Sequence, residues 1–204
     1  MSVNNLWWNR VRYSLYAPFY NLMKPIFASM RSRSIAKLQL QEGERVLLLG
    51  VGTGLDLDFL PSGVEITAVD LSPLMVARSR GRAKKLGLNY RAEAMNASSL
   101  NLPCDYYDAV ILHLILAVLP DPFACAAEVH RVLKPQGRIC ILDKFLPDGE
   151  RPPLLRRLLN LFTNFFFSDL NRQLGPILEA GSFKVAERED GLLGGAFQIL
   201  LVKH

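Results

Sequence analysis

The stretch Val46-Leu-Leu-Leu-Gly-Val-Gly-Thr-Gly54, followed by Val64-Glu-Ile-Thr-Ala-Val-Asp70, decides the fold of this 204-residue chain. It reads as a buried strand, a glycine-rich turn, the start of a helix, and a second strand that ends in a carboxylate. Glycine in such a turn lets the backbone come close to a ligand, where a side chain would collide. Asp70 stands 20 residues beyond Gly50, the placement of an acid that accepts hydrogen bonds from a ribose diol. Strand, turn and acid together imply a cofactor that contains adenosine.

The glycine spacing narrows the choice. A dinucleotide fingerprint, G-x-G-x-x-G, would need glycine at position 55, which is Leu55; Gly50, Gly52 and Gly54 instead form G-x-G-x-G. On these residues the chain resembles the class I S-adenosylmethionine-dependent methyltransferases. The resemblance implies S-adenosyl-L-methionine as cofactor, with Gly50, Gly52, Gly54 and Asp70 binding it. One departure is Leu48, where that superfamily usually carries an acid two residues before the first glycine, so the methionine end of the cofactor loses a partner.

Later positions extend the likeness. In Asp70-Leu-Ser-Pro-Leu-Met75, Ser72 reads as a helix N-cap with Pro73 at the first helical position. By the resemblance, Leu71 and Met75 flank the adenine, although Met75 equally suits ordinary core filling. Asn96 and Ala97, in Glu93-Ala-Met-Asn-Ala-Ser98, fall where the family usually has an Asp contacting the adenine amino group. The Asn96 side-chain carbonyl can still accept that hydrogen bond. Arg131-Val-Leu-Lys-Pro-Gln-Gly137 matches a run that recurs across small-molecule and lipid methyltransferases of this class.

Around the motif, apolar runs rich in Val, Ile and Leu alternate with helical patterns. Strands are expected at 45–49, 64–69, 88–92, 107–113, 137–145, 183–189 and 196–203, and helices at 54–60, 73–86, 121–134, 152–167 and 170–180. This alternation predicts an α/β, Rossmann-like fold: a seven-stranded, mostly parallel sheet with helices on both faces. Asp190-Gly-Leu-Leu-Gly-Gly195 is too short for a crossover helix, so the last strand should run antiparallel.

Charge divides the chain unevenly. Residues 1–40 carry Arg10, Arg12, Lys24, Arg31, Arg33 and Lys37 and no acid, so the remainder sums to −1 against a total of +5. Val3, Trp7, Val11 and Leu15 recur every four residues, one face of a helix that Pro18 ends or kinks. Residues 1–40 are therefore read as a basic amphipathic arm and 41–204 as the cofactor-binding domain. The arm suits an anionic membrane surface, with amphipathic aromatics at the interface. It equally suits a lid over the cofactor crevice.

Composition sets the outer limits. With 50% hydrophobic and 21% charged residues the chain can bury a full core. The longest apolar run, Ala109 to Pro120, is too short to span a bilayer, and the amino terminus has no secretory signal pattern. Cys104, Cys125 and Cys140 fit neither a metal pattern nor a disulfide framework, which suits reduced thiols. These features imply a cytoplasmic protein, peripheral at the inner face of the membrane, with no metal and a monomer as the working state.

The substrate is read from the edge of the fourth strand. His113-Leu-Ile-Leu-Ala-Val-Leu-Pro-Asp-Pro122 and Tyr13-Ser-Leu-Tyr-Ala-Pro-Phe-Tyr20 resemble the bacterial phosphatidylethanolamine N-methyltransferases. They are more distantly similar to the menaquinone and ubiquinone C-methyltransferases, whose Leu-Arg-Asn-Val type motif is missing here. Both families imply a membrane-dissolved lipid substrate. The apolar Leu154–Phe167 segment suits either a wall of a lipid groove or a buried core helix. An RNA methyltransferase is a weaker alternative, since the excess charge is confined to the arm and interleaved with Trp and Leu, and no nucleic-acid partner is expected.

For catalysis, positioning the two reactants supplies most of what methyl transfer needs. A primary amine must arrive neutral, and His113 is the candidate general base, or else a hydrogen-bonded packing residue. Tyr13 and Tyr20, with Tyr16, are candidates to surround a methylated ammonium by cation–π attraction.

Overall fold

The computed structural model describes residues 24–146, 148–149, 171–191 and 197–203. In chain order the elements are α1 (Lys24–Ala36), β1 (Arg45–Leu49), a 3-10 turn (Leu55–Phe59), β2 (Glu65–Asp70), α2 (Pro73–Leu86), β3 (Tyr90–Ala94) and β4 (Tyr107–His113). Then come α3 (Pro122–Val132), β5 (Leu133–Lys144), α4 (Gly175–Ala180), β6 (Lys184–Asp190) and β7 (Phe197–Lys203).

The strands form one sheet in the order β3-β2-β1-β4-β5-β7-β6. Neighbours from β3 to β5 pair in parallel, while β7 runs antiparallel to both β5 and β6. The expected seven-stranded sheet with an antiparallel last strand is therefore present. The strand order reverses between β1 and β4, and open α/β sheets bind ligands outside the carboxyl ends of strands at such a switch point. Leu49 is in register with both Val69 and Leu112, so Gly50, Asp70 and His113 all stand at that edge.

Each central strand feeds two cores, because successive side chains leave opposite faces of a sheet. Leu47, Leu49, Val110 and Leu112 pack with α3 and α4 on one side. Val46, Leu48, Ala109 and Ile111 pack on the other, with Ile35 and Leu38 among their neighbours. Burial on both faces is why β1 reads as an unbroken apolar run rather than an alternation.

The helix starts follow their local chemistry. The Ser72 hydroxyl accepts from the Met75 amide at 3.5 Å, with Pro73 in the first turn of α2. Asp121 accepts from the Ala124 amide at 2.9 Å and Pro122 opens α3. Both are caps of the expected kind.

Four boundaries differ from expectation. The helix expected at 54–60 is only the 3-10 turn, because Pro61 holds Leu60 extended at φ −88°, ψ 138°. The helix expected at 170–180 shrinks to Gly175–Ala180, since Pro176 fits only a first turn. α3 stops at Val132, and Leu133 already pairs with Tyr107 as part of β5, before a register shift between Tyr107 and Ala109. α1 was not anticipated as an element. The helix expected at 152–167 lies outside the described residues.

Candidate cofactor and methyl-transfer site

The crevice is built from the glycine turn, the end of β2, the segment after β3 and the loop after β4. Gly50, Gly52, Asp70, Leu71, Met75, Asn96, Ala97 and His113 all line it. Gly54 stands at the end of the turn, where its missing side chain lets Leu57 and Ser79 of α2 close in.

Gly52 is the position where glycine serves the ligand. Its φ is +55°, and a Cβ there would meet nothing within 4 Å, so the side chain would enter the open crevice. Gly50, at φ +69°, is different: a Cβ would stand 2.6 Å from Ile115 Cδ1. One glycine keeps space for a ligand, and the other lets the loop after β4 close down.

Asp70 braces this turn. Its Oδ2 accepts from the Gly52 amide at 2.8 Å and its Oδ1 from the Ser72 amide at 2.9 Å. Burial raises its pKa from the ordinary carboxylate value, and the two amides oppose that rise. A carboxylate offers about four acceptor sites, so two amides leave room for ribose hydroxyls. Asn96 Oδ1 accepts from the Ser98 amide at 3.0 Å, which fixes the side chain at the crevice wall. Met75 serves both readings, being 2% exposed and lining the crevice.

His113 sits in a buried network rather than at an open edge. Nδ1 lies 2.6 Å from Asp56 Oδ1, and Nε2 lies 2.9 Å from Ser34 Oγ and 3.4 Å from Cys140 Sγ. Asp56 also pairs with Arg31 Nη1 at 2.6 Å. Burial disfavours the Asp56 charge, but Arg31 and then His113 outweigh it and hold the carboxyl below its ordinary range. An ionised Asp56 makes His113 Nδ1 the donor, while Nε2 faces the Ser34 hydroxyl. Both ring nitrogens are therefore engaged.

Ser34, Asp56 and Thr53 carry no role in the sequence reading and Arg31 only that of a basic residue of the arm, yet each is at most 7% exposed. Asp143 was missed as well. It is fully buried at the end of β5, and its Oδ2 accepts from the Ala117 amide at 3.0 Å, holding the loop after β4. Leu48, where the resembled family has an acid, is 1% exposed in the apolar core.

The basic arm is partly neutralised within the fold. Arg31 pairs with Asp56, Arg33 with Glu189, and Lys37 with both Glu187 and Glu189. Tyr13, Tyr20, Arg10 and Arg12 lie outside the described residues. Among the described residues, no group of His, Cys, Asp and Glu could hold a metal. The three cysteines are free, with burial pushing Cys125 up to about 12.

The residues present fit S-adenosyl-L-methionine. The open space beside Gly52, an acid with acceptor capacity to spare, and two buried polar atoms on the crevice wall without partners are what such a ligand fills. Residues 47–141 match the family described as Methyltransferase domain. The chain is 29% identical over 174 residues to a phosphatidylethanolamine N-methyltransferase of Cereibacter sphaeroides, covering 84% of this chain and 85% of that one. It is 30% identical over 179 residues to a demethylmenaquinone methyltransferase of Thermus thermophilus, covering 84% and 78%. In fold it is similar to the geranyl diphosphate C-methyltransferase of Streptomyces coelicolor A3(2), solved with S-adenosyl-L-homocysteine. The TM-score is 0.68 at 16% identity, covering 86% of this chain and 79% of that one.

Proposed function

The chain belongs to the class I S-adenosylmethionine-dependent methyltransferases, and we propose that within them it methylates a membrane-dissolved lipid, the amino headgroup of phosphatidylethanolamine. The observation that carries this choice is the likeness to the phosphatidylethanolamine enzyme along most of both chains. The Ala-Val-Leu-Pro-Asp-Pro stretch after β4 and the missing quinone-type motif agree with it. Apolar Ile115, Val118 and Leu119 on the crevice wall suit an acyl neighbour. A second reading, methylation of a quinone ring, is favoured by the demethylmenaquinone relative.

When bound, S-adenosyl-L-methionine supplies an electrophilic methyl group for an in-line displacement, whose main demand on the protein is positioning. Asp70 would hold the ribose, Asn96 and Ala97 the base, and Gly50 and Gly52 the backbone approach. His113 acts here as a positioning residue, since Asp56 and Ser34 occupy both its nitrogens. Tyr13 and Tyr20 are proposed to receive the headgroup as it gains methyl groups. The enzyme would work peripherally at the inner face of the membrane; among the described residues no helix is long and apolar enough to cross it.

Incubation with labelled S-adenosylmethionine and either phosphatidylethanolamine vesicles or demethylmenaquinone, followed by mass spectrometry, tests the reading. Label in N-methylated phosphatidylethanolamine is the expected result. Label only in the quinone overturns it in favour of the second reading.

A further inference from the structure

α2 carries Arg78, Arg80, Arg82, Lys84 and Lys85 and no acid. Two of these side chains are engaged within the fold. Arg82 is forked onto Asp58 through Nε at 2.8 Å and Nη2 at 2.6 Å, and Arg80 donates to the Ala92 carbonyl. Arg78, Lys84 and Lys85 enter no ion pair among the described residues. The two lysines suit the negative end of the helix dipole, but Arg78 stands mid-helix, where that account fails. Leu74, Arg78, Gly81 and Lys85 share one face, since residues three and four apart are neighbours on a helix. All four are exposed, while Met75, Val76, Ser79 and Ala83 turn inward. Gly81 is the informative one, because a Cβ there would meet nothing within 4 Å. Neither a left-handed turn nor close packing requires glycine at this position, and inside a helix it is destabilising relative to alanine. Its missing side chain leaves an open floor between cations. The groove over it is walled by Arg78, Arg82, Lys85 and Leu86, and Asp58, already bound to Arg82, is the one acid lining it among the described residues.

Cations around an open floor suit phosphate oxygens. Leu74 and Leu86, 42% and 44% exposed, add the apolar part of an interfacial contact. A single-stranded nucleic acid would be met by aromatic stacking platforms, and α2 has no aromatic residue. We infer that the outer face of α2 is a second membrane contact beside the arm: Arg78, Arg82 and Lys85 seat the phosphate of an anionic phospholipid headgroup over Gly81, and Leu74 enters the interface. The inference rests on the peripheral-membrane reading of the protein and not on which acceptor is methylated. Leu74 lies in the first turn of α2, next to Met75 of the crevice wall. Contact through this face therefore brings the crevice mouth to the lipid surface, where a membrane-dissolved substrate enters.

The test is co-sedimentation of the full chain with phosphatidylglycerol-containing vesicles and with pure phosphatidylcholine vesicles at matched salt. Arg78→Gln combined with Lys85→Gln should weaken binding to the phosphatidylglycerol vesicles about tenfold or more although the arm is intact. Gly81→Glu, which adds an acid where a side chain meets no packed atom, should weaken it as well. Both variants should keep S-adenosylhomocysteine affinity within about twofold, which separates a lost surface contact from a damaged fold. Unchanged vesicle binding in both variants overturns the α2 contact and leaves the arm as the membrane contact. Release of the protein from vesicles by free phosphate at constant ionic strength, or tighter binding to single-stranded RNA than to vesicles, overturns the bilayer as the occupant. A wild-type protein that binds no vesicle overturns the peripheral reading itself and this inference with it.

Discussion

The Gly52 amide donates to Asp70 Oδ2 at 2.8 Å, joining the two halves of the cofactor signature across the ends of β1 and β2. The same carboxylate takes the Ser72 amide at 2.9 Å and so also steadies the start of α2. The acid that would meet ligand hydroxyls thus also shapes the turn that approaches the ligand. Its removal strikes both parts of the site at once.

Asp70→Ala is expected to weaken S-adenosylmethionine binding at least about tenfold, the loss for charge-assisted hydrogen bonds worth about 1.5–3 kcal/mol. Burial keeps the Asp70 pKa above its ordinary value of 3.8. Protonation removes the charge that holds hydroxyl donors, so affinity should fall as pH is lowered through that raised range. Calorimetry across a pH series reads both effects, and unchanged affinity in Asp70→Ala would remove the ribose assignment.

The glycines should fail in different ways. A Cβ at Gly52 meets nothing within 4 Å, so Gly52→Val is expected to fold at a backbone cost of about 1–2 kcal/mol and to lose cofactor binding. Gly54→Ala places a methyl 2.9 Å from Leu57 Cδ1 and 3.3 Å from Ser79 Cα, so it should lower the denaturation midpoint first. A folded Gly52→Val protein that methylates at the normal rate would place the cofactor elsewhere.

Asp56→Ala leaves the Arg31 guanidinium buried without its counter-ion, with an expected cost of about 3–5 kcal/mol in urea denaturation. The folded pKa of Asp56 is depressed below 3.8. Its stabilisation is therefore complete above the unfolded value and drains away as pH falls from there through the folded one. Wild-type stability should drop over that acid window by more than that of Asp56→Asn, and identical acid profiles would count against the network.

Vesicle binding should follow the basic charge of the arm. Arg10→Gln with Arg12→Gln, or deletion of residues 1–12, is expected to weaken co-sedimentation with anionic vesicles, most of all at low salt. Arg33→Gln should change it little, because Arg33 is paired with Glu189. Absence of any vesicle binding by the intact protein would favour the lid reading of the arm.

The sheet, the glycine turn and Asp70 were legible in the sequence because each rests on local chemistry. Both-sided burial writes β1 and β4 as continuous apolar runs, and the turn announces itself through residues without side chains. The strands' parallel order followed from the helical patterns between them. What only the tertiary structure decided is the polar core behind the crevice. Arg31 meets Asp56 across 25 residues, Asp56 meets His113 across 57, and Ser34 meets His113 across 79. These side chains look like surface residues in a sequence, and on α1 they occupy the inward face where an apolar stripe would have revealed the helix. A polar residue is buried only where its partner comes to meet it, and the partner is chosen by the crossing of the chain at the sheet's switch point, not by anything beside it in sequence.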